Sequence, residues 1–103
     1  DHDTTLYGEW YQKYEAIPNI DTISYGLANG HSMSFSSKSF NIDEREYTEW
    51  RAEDGIVFYY YPEVDDTISM AYEIHGDTLF TWWNKTTHDF SDRHSIHWRV
   101  ELF

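Results

Sequence analysis

The sequence predicts an all-β fold, a single small antiparallel β-barrel of seven or eight strands occupying residues 1–103 with no substantial helix. Three observations predict it. Apolar residues recur with period two along most of the chain, tight-turn pairs such as Asp54-Gly55 and Gly76-Asp77 separate the alternating runs, and helical periodicity is missing throughout. Short antiparallel strands in chain order remove their edges by closing on themselves, so a meander barrel is the first expectation and a Greek-key order the second.

Taken in order, "LYGEWYQKYEA" reads as the first strand and "HSMSFSSKSF" as the second, separated by the long stretch Ile17–Gly30. A further strand at Phe40–Asp43, pairing separately, makes the total eight. Asp54-Gly55 then joins strands at Tyr47–Glu53 and Ile56–Pro62, and "PEVDD" turns the chain again. From Thr67 to His75, Ile68, Met70, Tyr72 and Ile74 alternate with polar or small residues, as in a strand with one buried face. Gly76-Asp77 leads into a strand at Thr78–Thr86, and the loop His88–Arg93 into the last strand. There Ile96, Trp98, Val100 and Leu102 are expected on one face, with His97, Arg99, Glu101 and Phe103 on the other. Bulky inward candidates are Trp10, Tyr14, Met33, Phe35, Trp50, Phe58, Met70, Tyr72, Trp83 and Trp98. A barrel of about eight strands is just wide enough for side chains to fill it, so a plugged interior without an ordinary ligand cavity is expected.

Five Trp, nine Tyr and six Phe supply the apolar area of a folded unit. A formal net charge of −12 repels phosphate backbones, and the seven basic residues are scattered singly, so nucleic acid is not an expected partner. Cysteine is absent, which removes disulfides and thiolate metal sites. No apolar run is long enough for a membrane span. The polar start "DHDTT" fits a trimmed mature chain and leaves room upstream for a lipid anchor. A secreted or surface-tethered monomer is expected.

"GEW" at Gly8–Trp10 resembles the Gly-x-Trp that opens lipocalin-like barrels, and Arg99 resembles the arginine that in calycins lies across that tryptophan. The run "YEIHGDTLFTWW" is similar to a hairpin of small lipocalin-like domains on bacterial surfaces. This resemblance implies a calycin-type meander, with an OB-like barrel as its competitor, and assigns Gly8, Trp10 and Arg99 as a structural signature. Full lipocalins are longer and enclose a cup.

The chemical constellations favour plain readings. His94 and His97 are three apart on a strand and face opposite sides, so they do not chelate one ion, and they are expected at the surface. "GHSMS" has Ser34 where a nucleophile elbow needs its second glycine. Asp43, Glu44, Glu46 and Glu49 lack the spacing of a calcium loop and read as a solvated acidic face. No catalytic residue, metal or cofactor is expected, and the protein is read as not being an enzyme.

The stretch Ile17–Gly30 has two readings. As a lid it folds its isoleucines over one barrel end. As a recognition loop it is stiffened by Pro18 and held locally by Asn19 and Asp21, and Ile17, Pro18, Asn19, Ile20, Asp21, Thr22, Ile23 and Tyr25 meet a partner. A preorganised loop with apolar anchors suits another protein's groove, such as a protease cleft, and the architecture resembles potempin-type barrel inhibitors of secreted proteases. The expected role is a binding module for a protein, most concretely a proteinase inhibitor. The alternative is a lipocalin-like carrier of a small apolar ligand, and the volume inside the barrel separates the two.

Overall fold

The computed structural model describes residues 3–27 and 30–100, and it is all-β apart from a short 3-10 helix at Thr4–Leu6. Leu102, Glu101 and Phe103, assigned above to faces of the last strand, lie outside the described residues. The strands are β1 (Gly8–Pro18), β2 (Ile23–Leu27), β3 (Ser32–Phe35), β4 (Phe40–Ile42), β5 (Arg45–Tyr47), β6 (Trp50–Glu53), β7 (Ile56–Tyr61), β8 (Asp66–His75), β9 (Thr78–Trp83) and β10 (His94–Arg99). They pair antiparallel in the order β5-β4-β3-β1-β10-β9-β8-β7-β6, with β2 on β1. Apart from β2 this is a meander, and pairing of its first and last strands rolls it into a nearly closed barrel.

Closure is completed by side chains. Among the described residues β5 and β6 share no ladder, and the Tyr60 amide donating to the Glu49 carbonyl at 2.9 Å only extends the β6–β7 ladder up to this seam. Beside it the Tyr47 ring lies 5.0 Å from that of Tyr59, and the Arg45 guanidinium sits 5.0 Å from the Tyr61 ring centre.

The turns explain the meander. Asp54 and Gly55 both have positive φ, 55° and 74°, as a type I′ hairpin requires. Gly76, at φ 62°, opens the next two-residue turn. The strand number exceeds seven or eight for two reasons. The Tyr47–Glu53 run is broken at Thr48-Glu49 into the end of β5 and β6, and most of the Ile17–Gly30 stretch is a hairpin in which β1 and β2 pair from Tyr14↔Leu27 to Pro18↔Ile23.

Inside the barrel Leu6, Trp10, Met33, Phe35, Phe40, Val57, Tyr59, Met70, Tyr72 and Leu79 form one buried cluster, with Phe35 stacked on Phe40 at 4.7 Å. A second apolar layer lies outside. Segment 84–93 folds over Trp82, whose indole N–H donates to the Asp89 carbonyl at 2.8 Å and whose ring meets Phe90 at 5.0 Å and His94 at 5.3 Å.

Three face assignments are corrected. In β10 the inward residues are Ser95, His97 and Arg99, because Arg99 pairs opposite Trp10 and His97 opposite Gln12. Ile96, Trp98 and Val100 therefore lie on the outer side, and Trp98 is 47% exposed. Tyr14 also faces out, because a bulge between Gln12 and Tyr14 makes Lys13 an extra residue and changes the alternation of β1. Phe58 faces out beneath Arg51, whose guanidinium is 4.6 Å from its ring centre.

Candidate functional site

The strands deliver different chemistry to the two barrel ends. At the closed end the 3-10 helix pushes Leu6 into the core, and the Leu6 carbonyl accepts the indole N–H of fully buried Trp10 at 2.9 Å. Arg99 lies over the Trp10 ring at 4.1 Å and donates to the Tyr7 and Thr5 carbonyls at 3.0 and 3.2 Å. The Tyr72 hydroxyl donates to Asp3 at 2.6 Å, and burial followed by that bond raises the phenol's pKa well above its ordinary value. Gly8 sits at φ 126°, and a Cβ there would be 3.0 Å from Arg99 Nη1. The expected Gly8, Trp10 and Arg99 constellation is thus one packed unit.

The other end is open, and the expected plugged interior is corrected there. A cup of about 370 Å³ is walled by Met33, Ile42 and Trp83 on its apolar side and by Gln12, Glu15, Ser95 and His97 on its polar side, with His31 and Asp43 at the rim. A hollow of about 570 Å³ adjoins it through Ile42 and Trp83, faced by Tyr47, Tyr59 and Tyr61 and edged by Asp66. The cavity survives because Gln12, Glu15, Ser95 and His97 occupy the inner positions of β1 and β10 where the larger rings of Tyr14 and Trp98 were expected.

His97 is 2% exposed. Its Nε2 is 3.0 Å from Thr81 Oγ1, while its Nδ1 has no hydrogen-bond partner among the described residues. Burial, followed by the charge of His31, pushes its pKa down to about 4, so the ring is neutral at pH 7. His31 Nδ1 lies 2.8 Å from Asp43 Oδ2, and the Ser32 amide donates to Asp43 Oδ1 at 3.1 Å. These bonds hold the Asp43 carboxyl below the usual range, the His31 contact contributing most. Ser95 Oγ accepts from Gln12 Nε2 at 3.0 Å. Among the described residues no three His, Asp or Glu side chains gather as metal ligands.

The predicted recognition residues flank this end. β1 continues past the cup and turns through Asn19–Thr22, where the Asn19 amide donates to the Thr22 carbonyl at 2.7 Å and Asn19 Nδ2 to Ser24 Oγ at 2.6 Å. Ile20 at the tip is 99% exposed, Pro18, Asp21, Thr22 and Tyr25 are exposed, and Ile17 and Ile23 are half-buried. A lid over the core would bury Ile20, so the hairpin is not one. Tyr25 and Leu27 stand on the same outer face as Tyr14, Tyr11 and Trp98, giving an exposed apolar strip across β2, β1 and β10.

Several site residues were not singled out from sequence. Gln12, Glu15, His31, Ser95 and His97 of the cup and Tyr11, Leu27 and Trp98 of the strip were missed as functional positions. A usable signal was the pairing of Arg99 with Trp10, because period two carries Arg99's inward face to His97 and Ser95. The expectation of surface histidines is corrected: His97 is buried in the barrel and His94 beneath segment 84–93. No family model, curated protein or solved structure matches the chain.

Proposed function

We propose that the chain is a non-enzymatic binding module, secreted or held at a cell surface, that takes a protein partner through the β1–β2 hairpin. Its most concrete version is a lipocalin-like barrel that inhibits a protease. The observation that carries this reading is Ile20, fully exposed at the tip of a hairpin whose turn is held by the Asn19 bonds. A preordered turn loses little entropy on docking, and a protruding isoleucine fits a pocket at the centre of an interface. The Tyr11, Tyr14, Tyr25, Leu27 and Trp98 strip extends the surface with side chains that interfaces favour.

The chemistry of the cup supports a binding role over catalysis. Ser95 is held by Gln12 and, among the described residues, by no histidine that could act as the base a serine nucleophile needs. The carrier of an apolar ligand is the weaker reading, because Gln12, Glu15, Ser95 and His97 make one wall polar.

The test is inhibition of representative secreted serine, cysteine and metalloproteases by the purified chain, repeated with Ile20→Ser combined with Tyr25→Ser. The expected result is stoichiometric inhibition of one class, lost in the variant at an unchanged thermal midpoint. Equal inhibition by the variant removes the hairpin from the interface, and no inhibition in any class removes the protease version.

A further inference from the structure

We propose that the open-end cup is a second binding site, independent of the hairpin, for a small organic ammonium ion of the arylalkylamine class. Size comes first, since about 370 Å³ lies near the lower end of ordinary small-molecule sites and suits one compact ring with a short polar arm.

Charge selects the cation. The cup and the adjoining hollow are lined by three carboxylates, Glu15, Asp43 and Asp66, and by no lysine or arginine among the described residues. The nearby cations are already engaged. Arg93 pairs with Glu15 at 3.1 Å and Arg45 with Glu63. The Arg93–Glu15 pair is exposed on the arginine side, and such pairs contribute little, so an incoming ammonium can replace Arg93 at Glu15. An anion would meet the three carboxylates within a molecule of net charge −12.

The remaining surfaces fit the rest of such a ligand. Met33, Ile42 and Trp83 offer an apolar wall for a ring. The rings of Tyr47, Tyr59 and Tyr61 face the adjoining hollow, and the Arg45 guanidinium over Tyr61 shows that this rim already holds a cation against an aromatic face. His97 adds the second observation. Buried polar atoms are normally hydrogen-bonded, yet its Nδ1 has no partner among the described residues while its Nε2 is engaged by Thr81. Of the two neutral tautomers, the one whose Nε2–H donates to the Thr81 hydroxyl leaves Nδ1 as an acceptor, and a ligand N–H selects that tautomer. A purely apolar occupant leaves this atom as it is.

Isothermal titration calorimetry of the full chain with three indoles of matched shape tests the proposal: tryptamine as cation, tryptophol as neutral isostere and indole-3-propionate as anion. Tryptamine is expected to bind one saturable site about tenfold or more tighter than tryptophol, a tenfold step being about 1.4 kcal/mol, with indole-3-propionate weakest. Glu15→Gln is expected to reduce tryptamine affinity by about tenfold and to leave tryptophol unchanged, with circular dichroism melting showing that the variant is folded. Equal binding of tryptamine and tryptophol, tighter binding of the anion, an unchanged tryptamine affinity in the variant, or no saturable binding of any of the three overturns it.

Discussion

The two ends of this barrel are built from the same strands and have opposite characters. At the closed end β1 contributes Trp10 and β10 contributes Arg99, which lock together under the Thr4–Leu6 helix with their polar atoms on backbone carbonyls. A few residues along, β1 contributes Gln12 and Glu15 and β10 contributes His97 and Ser95, which leave space and an unpartnered nitrogen. The difference teaches that a closed sheet sets the width of a barrel, while the identity of its inward side chains decides level by level whether that width is core or cavity. Stability and binding are therefore expected to separate along the barrel axis.

The largest test of that separation is Trp10→Ala. Removing a fully buried tryptophan together with the support for Arg99 is expected to cost about 3–5 kcal/mol, a large part of the roughly 5–15 kcal/mol of a typical domain. Chemical denaturation measures it, and a loss below about 1 kcal/mol would show that the closed end does not anchor the fold.

At the open end the effect is conditional on pH. Below its ordinary pKa of 6.5 an unfolded histidine takes up a proton that His97, held near 4, refuses in the fold. Stability from this group is thus complete above about pH 6.5, falls as pH drops through the window to about 4, and changes no further below it. The full window is worth about 3 kcal/mol. His97→Gln is expected to flatten this part of the stability profile, and parallel curves for the variant and the parent between pH 7 and 4 would contradict the buried neutral ring.

Beyond the cup the effects become small and should follow burial. Ile20→Ser is expected to change stability by no more than about 0.5 kcal/mol, whereas half-buried Ile23→Ser should cost about 1 kcal/mol. Equal, large losses at both positions would mean that the hairpin folds down onto the barrel in solution.

The architecture was largely legible from sequence because backbone pairing leaves strong local signatures. Alternation through Ile68, Met70, Tyr72 and Ile74 marked β8, Gly76-Asp77 marked the turn that follows it, and Asp54-Gly55 marked the turn between β6 and β7. The cup was not legible, because hydrophobicity misleads when both sides of a sheet are apolar. Trp98 and Ile96 outweigh His97 and Ser95 on any scale of burial, yet they pack on the outer layer with Tyr14 and Phe80, and the polar pair goes inside. Likewise Ile17–Gly30 carries loop-forming Pro18, Asn19 and Asp21, and only register across Tyr14–Leu27 shows that these residues cap a ladder. The link between His31 and Asp43 spans two strands, and neither residue marks the other in the chain.

The bulge at Lys13 acts on the faces of β1 as a single-base insertion acts on a reading frame. Upstream of it, even-numbered residues point inward; downstream, odd-numbered ones do, and so Glu15 reaches the cup while Tyr14 joins the outer strip. Because β2 is registered on β1, the shift is transmitted to the whole hairpin and sets Tyr25 and Leu27 outward as well. One extra residue thereby accompanies two surfaces at once, a carboxylate inside and aromatic contacts outside; deleting it would leave Gln12 opposite His97 and Tyr14 opposite Ile96 and so keep both, whereas drawing Lys13 into the ladder would exchange them.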